Sequence, residues 1–340
     1  MSDIECQAKL EILRFLKQRE DVVVSREICS HLTERGLELS PRTVRLYLQH
    51  LEDEGMVEPT RRGRASGRTI TERGLAEIDS ADAVGRLGFI VARIDHLACR
   101  MTWHPRTAPD GTVILNLTMI QEAQAIHALR EMAAIFQAGL GMGEKVALFP
   151  AGSRLEDKIV PPGYFGIGTV CGVTLNGALL RSGVPVASEF GAVLEMQEGR
   201  PRRFTDLVTY AGTTLDPLEV FIKARLSQVH LAAISGNGRI GASFRQFPSV
   251  ATEAVLQMQQ DMKDTGLNGI LCIGKPNRPL LEFPVHDGRT ALIVAGGLNP
   301  AAAIEEVGIK TVNSALSILY PANRLIHYQE MQREAVSILH

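Results

Sequence analysis

The chain has few cysteines and no pattern among them. Its five, Cys6, Cys29, Cys99, Cys171 and Cys272, are an odd number at wide spacings. That excludes a disulfide framework or a Cys-x-x-Cys zinc site and points to reduced thiols in the cytoplasm. No apolar run of about 18 residues is present, so no membrane span is expected. The N-terminus, MSDIECQAKLEILRF, carries acids and lacks the basic-then-apolar order of a signal peptide. His96, His104 and His127 have no histidine at i+4, and His31, His50, His230 and His286 are isolated, so no metal is expected. There is no P-loop, no G-x-S-x-G elbow and no acid pair, so neither catalysis nor a cofactor is expected. Charge of one sign is also scarce, the net being −2 over 340 residues.

What is present concentrates in residues 40–74, SPRTVRLYLQHLEDEGMVEPTRRGRASGRTITERG. Ser40 is a helix N-cap, Pro41 suits the first helical position, and Gly55 stops the helix. Val44, Tyr47, Leu48 and Leu51 repeat at i, i+3, i+4, i+7 and define a buried stripe. The other face offers Arg42, Thr43, Arg45 and Gln49, which suit phosphates or base edges in a major groove. A hairpin follows with five arginines (Arg61, Arg62, Arg64, Arg68, Arg73) and one acid, Glu72. Arg61, Arg62, Arg64 and Arg68 are expected to meet phosphates or the minor groove. Residues 1–58 are acidic overall and 59–73 sharply positive, so whole-chain charge says nothing about nucleic acid. Upstream, a helix from about Ile4 to Arg19 buries Ala8, Ile12, Leu13, Phe15 and Leu16. A second helix is capped by Ser25 and stopped by Gly36. Residues 1–80 therefore read as a winged helix-turn-helix.

From Gly85 the texture changes to alternating strands and helices, and an internal repeat emerges. The first half (85–199) holds a hairpin, LACRMTWHPRTAPDGTVILNLTMI, the helix EAQAIHALREMAAIFQAG, a strand at Val146–Phe149, the strand GIGTVC, the turn-helix LNGALLRSG and a strand in VPVASEFGAVLEM. The second half (226–322) repeats the order with VHLAAISGNGRIGASFRQF, ATEAVLQMQQDMKDTG, GILCIG, ALIVAGG, LNPAAAIEEVG and IKTVNSALSILYP. Leu175-Asn176 answers Leu298-Asn299, and Gly139 answers Gly266. Residues 200–225 read as a connecting segment and 323–340 as a C-terminal tail. The expected fold class is α+β: the winged helix followed by a duplicated ferredoxin-like (β-α-β-β-α-β with leading hairpin) regulatory module.

GNGRIG (Gly236–Gly241) satisfies G-x-G-x-x-G, but it lies between two strand patterns and does not open a helix, so it reads as a hairpin turn. GIGTVCGVTLNG is of more interest. A strand ends in small residues before a helix, and such helix starts suit carboxylates or phosphates. Thr169, Cys171, Thr174 and Asn176, with Asn299 in the matching loop VAGGLNP, are the candidate effector residues. Lys275 or Arg203 would supply the counter-charge. The competing reading makes these loops tight packing turns and Cys171 a small buried residue.

The winged unit, in SPRTVRLYLQHLEDEGMVE, RRGR and TERGL, resembles that of the NrpR transcriptional regulators. Residues 86–320 resemble the NrpR regulatory domain, most specifically in GIGTVCGVTLNGALLRSGVPV, RFTDLVTYAGTTLDPLEVFI and IVAGGLNPAAAIEEVGI. The resemblance implies a homo-oligomeric regulator that binds operator DNA, represses nitrogen-assimilation genes and is released by 2-oxoglutarate. Archaeal members with two regulatory domains are known, and one is found here. The alternative is a metabolite-binding protein or enzyme whose accessory winged helix binds protein.

Overall fold

The structure is a computed structural model and describes residues 3–19, 23–62, 65–85, 88–156 and 158–339. The chain divides into two compact units, Met1–Leu87 and Gly88–His340. Among the described residues no helix is long and apolar enough to cross a membrane.

In the first unit α1 (Asp3–Lys17), α2 (Ser25–Glu34) and α3 (Pro41–Asp53) precede the antiparallel strands β1 (Val57–Arg62) and β2 (Ala65–Ile70), and α4 (Glu72–Gly85) closes it. Ile12, Leu13, Leu16, Ile28, Leu32, Val44, Leu48 and Leu51 form its core. Ser40 caps α3 as expected, its Oγ accepting the Thr43 N–H at 3.1 Å. Ser25 does not cap α2. It is the first helical residue, the cap position belongs to Val24, and the Glu27 carboxylate accepts the Val24 N–H at 3.2 Å.

The second unit runs twice through one order of elements, called here its first and second copies. The first copy runs α5 (Phe89–Arg100), β3 (Thr112–Gln121), α6 (Ala125–Gln137) and β4 (Lys145–Phe149). The two-residue strands β5 (Arg154–Leu155) and β6 (Lys158–Ile159) precede β7 (Tyr164–Val170), α7 (Val173–Arg181) and β8 (Ala187–Gln197). After β9 (Arg200–Thr209) and α8 (Pro217–Lys223), the second copy runs α9 (Val229–Ser235), β10 (Gly238–Pro248), α10 (Thr252–Asp264), β11 (Ile270–Ile273), β12 (Arg289–Ala295), α11 (Asn299–Glu306) and β13 (Val312–Pro321). β14 (Ile326–His327) and α12 (Met331–Leu339) end the chain.

Five expectations are corrected. The leading hairpins are helix–strand units: LACR ends α5 and VHLAAIS is α9, so each copy contributes one strand there. GNGRIG therefore joins a helix to a strand, with Gly236 at φ +73° ending α9. The segment 200–225 is not a bare connection, because β9 is an edge strand paired with β8. The tail is ordered, with α12 burying Met331 and Ala335 in the cluster that holds α6. Finally, neither sheet belongs to one copy. The strand orders are β13-β3-β7-β4-β14 and β11-β12-β10-β8-β9, all antiparallel. Each copy places its last strand, β8 or β13, beside the first strand of the other. Both last strands bury a continuous central run and carry no local mark of a partner, so long-range packing selects it.

Hydrogen bonds also adjust the register of the repeat. Cys171 N–H donates to Ile114 O and Gly296 N–H to Gly241 O, each at 2.8 Å. Thr174 Oγ1 bonds both the N–H and the carbonyl of Ile114, at 3.1 and 3.2 Å. The Asn299 amide does the same for Gly241, at 2.8 and 2.9 Å. Asn299 thus answers Thr174, not Asn176. A hydroxyl and a carboxamide each link a helix start to a first strand.

Candidate functional site

The helix-and-wing face of the first unit is built on α3. Arg42, Arg45 and Gln49 are exposed, and Leu46 lies between them at 51% exposure. At i, i+3, i+4 and i+7 the four form one outward stripe opposite Val44, Leu48 and Leu51. Leu46 is absent from the face expected from the sequence, which held only polar and charged residues. Exposed, it suits a thymine methyl. Thr43 is half-buried, with Oγ1 2.8 Å from Ser40 Oγ, and Gln49 Nε2 donates to Asp53 at 3.0 Å. Arg68 is tied on both sides. Its backbone pairs with Val23 and its guanidinium lies 2.8 Å from Glu52 on α3. It braces the wing against the helix. Arg64, and the side chains of Arg61 and Arg62, lie outside the described residues.

In the second unit the two strand-to-helix loops meet. A Cβ added at Gly297 would lie 2.3 Å from Val170 O and 3.2 Å from Cys171 Cα. Beside this crossing is a cavity of about 30 Å³, walled among others by Gly172, Tyr210, Asp216, Arg245, Gly297 and Leu316. That is room for one or two water-sized groups. Its dominant feature is Arg245 on β10, only 3% exposed. Nε donates to Ser243 Oγ at 3.2 Å, and Nη1 donates to Gly172 O at 2.7 Å and to Asn176 Oδ1. All three acceptors are neutral. Among the described residues Nη2 has no partner and no carboxylate forms an ion pair with the group. Burial accordingly pulls its pKa below the ordinary arginine value.

The expected effector residues divide. Cys171 lines the cavity, its thiol pushed up to about 11 by burial, and Asn176 holds Arg245. Thr169 is buried and its Oγ1 has no hydrogen-bond partner among the described residues. Thr174 and Asn299 are occupied in fixing their loops to strands. Lys275 is exposed and is not in the cavity wall. Arg203, on the surface of β9, lies 2.8 Å from Glu195. Arg245, Tyr210 and Asp216 were missed. The available signal was Arg245, set between Phe244 and Phe247 in GRIGASFRQF.

The wall opposite is strained. In β13 three residues, Ala315 to Ser317, oppose one on β3, and Leu316 adopts φ +49°. Such a bulge is costly for a branched side chain and persists only if its surroundings fix it. Arg93 Nε donates to Leu316 O at 2.8 Å, Leu316 N–H to Asn116 Oδ1 at 3.2 Å, and Ala315 N–H to Glu219.

Asp216 caps α8 by accepting the N–H of Leu218 at 2.9 Å and of Glu219 at 3.4 Å. Burial, with Glu219 alongside, pushes its carboxyl up to about 7. The folded protein therefore holds this proton more tightly than the unfolded chain, whose aspartates titrate near ~3.9. The sign follows: stability falls as pH rises from about 4 toward about 7, then levels. Asp216→Asn keeps a good cap and removes the titration. It should match wild type at about pH 4 and exceed it by about 1–2 kcal/mol at pH 8, a value reduced from the full shift because the side chain is partly solvated. Denaturant melts at several pH values test this. A difference that stays constant with pH would refute it.

A winged helix followed by a two-sheet α+β module is the architecture of a transcriptional regulator. The chain belongs to the NrpR family. Residues 87–331 match the family described as NrpR regulatory domains NRD1 and 2, and residues 10–78 match the winged-helix domain of ribonuclease R. The global nitrogen regulator NrpRI of Methanosarcina mazei is 32% identical over 98% of this chain and 99% of its own length. Global nitrogen regulators NrpR of Methanocaldococcus jannaschii and Methanococcus maripaludis are 27% and 24% identical, over 90% and 91% of this chain. The chain spans about half of those two relatives, 52% and 53% of their lengths. The crystal structure of a nitrogen repressor-like protein from Methanococcus jannaschii superposes with a TM-score of 0.60 at 26% identity, over 70% of this chain and 98% of that one. Among the described residues no group of three His, Cys, Asp or Glu could hold a metal.

Proposed function

We propose that the chain is a cytoplasmic, DNA-binding transcriptional repressor of nitrogen-related genes, whose operator affinity is set by a small anionic metabolite, with 2-oxoglutarate the first candidate. The exposed stripe Arg42, Arg45, Leu46 and Gln49 on a capped helix carries the DNA half of this reading, and the naming of the relatives as nitrogen regulators supports its biological setting. Arg61, Arg62 and Arg64 would add phosphate contacts from the wing. The regulatory module reads as two ferredoxin-like sandwiches with exchanged last strands. Two-fold pairing of chains would set recognition helices one helical turn apart, about 34–36 Å, on a near-palindromic operator. Effector binding in the module would alter that pairing, with a coupling of about 1–3 kcal/mol.

The test is operator retention at several salt concentrations. Arg45→Ala is expected to cost about 1–3 kcal/mol of discrimination between operator and random DNA. Arg62→Ala should weaken both alike and flatten the salt slope by about one unit. Unchanged binding in both variants would leave the accessory reading, in which the winged helix binds protein.

A further inference from the structure

We infer that the regulatory unit binds one carboxylate-bearing metabolite per chain, with the carboxylate received by Arg245 between the starts of α7 and α11. This inference rests on the effector half of the reading above and adds the receiving residue and the stoichiometry.

A guanidinium buried this deeply is expensive unless a negative charge faces it. Arg245 has only neutral acceptors, and its free nitrogen, Nη2, lies beside Gly172, where an added Cβ would come within 2.6 Å. The cavity it faces is closed by two helix starts. Among the described residues the amides of Gly172, Gly297 and Leu298 donate to no carbonyl or side chain. Three unmatched amides and one unmatched guanidinium nitrogen around one void attract a single anion. The match is to a carboxylate. One positive charge with one free nitrogen neutralises a monoanionic group and would leave a phosphate dianion half-neutralised. Asp216, in the same wall, holds its proton into the neutral range and does not repel such a group.

The duplication fixes the number. By the register that pairs Ile114 with Gly241, the counterpart of Arg245 on β3 is Thr118, whose Oγ1 bonds Asn313 at 2.9 Å. The architecture is two-fold, but the charge is present once. The size of the cavity suggests how binding is felt. Room for a water-sized group accepts a carboxylate head and not the body of a longer acid. Binding therefore needs a second arrangement of the wall, and a ligand that prefers one of two arrangements shifts the balance between them. The strained Leu316 bulge, with Tyr210 and Asp216, forms that wall.

The experiment uses the full chain at constant ionic strength, with calorimetry and thermal melts against succinate, 2-oxoglutarate, inorganic phosphate and neutral dimethyl succinate. The diacids should bind one per chain and raise the melting temperature, while the diester should not. Arg245→Gln should weaken binding roughly 10- to 100-fold and Arg245→Lys less. Gly172→Ala keeps the charge but crowds Nη2 and should also weaken binding. It carries the test if Arg245→Gln loses its cooperative melt. Two ligands per chain, preference for phosphate, no bound carboxylate, or Arg245→Gln binding as wild type would each overturn the inference. Operator retention separates the two levels. If diacids bind through Arg245 but leave retention unchanged, the site stands and the regulatory reading falls. If they alter retention equally in wild type and Arg245→Gln, the reading stands and the site falls.

Discussion

Replacing Gly297 by alanine is expected to destabilise the regulatory unit by about 3 kcal/mol, a fall of roughly 6–12 °C in melting temperature for a unit of this size. A methyl group there would meet Val170 O at 2.3 Å and Asn116 Nδ2 at 2.6 Å. The first contact is with backbone held in the β3–β7 ladder, so it cannot turn away as the end of a flexible side chain could. Relief requires the two strand-to-helix loops to part, and with them the two halves of the duplication. Gly141→Ala is the control. Its methyl would meet nothing nearer than Pro300 Cγ at 3.5 Å, so its effect should remain within about 0.5 kcal/mol. Thermal melts of both variants test the pair. A Gly297→Ala protein as stable as the control would show that the loops do not cross as described.

Phe244→Ala should cost at least as much, about 3–5 kcal/mol. The ring is fully buried, stacked on Phe190 with centroids 4.9 Å apart, and it contacts Phe283 at 4.9 Å and Phe204 at 6.0 Å. Phe190 is on β8, the strand given by the first copy, and Phe204 is on β9. Removing Phe244 therefore empties the contact that holds the exchanged strand, as well as the transfer energy of one side chain. Phe244→Leu, which retains most of the volume, should cost about 1–1.5 kcal/mol. Guanidinium melts would measure both. Equal losses for alanine and leucine would mean that ring packing is not what fixes β8.

These two sites differ in how far they could be read from residues. Gly297 stood in a loop marked as a strand-to-helix turn by VAGGLNP, so a glycine with a purpose was legible there. What it avoids was not, because the neighbour is 126 residues earlier in the chain, at Cys171. Phe244 could be assigned to a buried strand face, but its aromatic partners come from both copies. The winged helix was read well for a physical reason. Its helices are amphipathic and capped by neighbouring residues, so nearly all the information is local. The end of α5, LACR, and the short helix α9 read as strands from the sequence. Neither helix has a side-chain cap at its start, and burial of Ile94 and Leu97, or of Val229 and Ala232, decides their conformation.

By itself the sequence determined periodicity and punctuation: three helices and a hairpin with an arginine tip, then the same order of strands and helices twice, in a pattern recognisable as that of a family. Those are consequences of side-chain spacing and of caps, which act over a few residues. Only the tertiary structure decided that β8 and β13 change places, that Thr174 and not Asn176 answers Asn299, and that Arg245 is buried among neutral acceptors. A strand carries no local mark of which sheet it will join. A charge in a strand is buried only because loops from two distant segments fold over it.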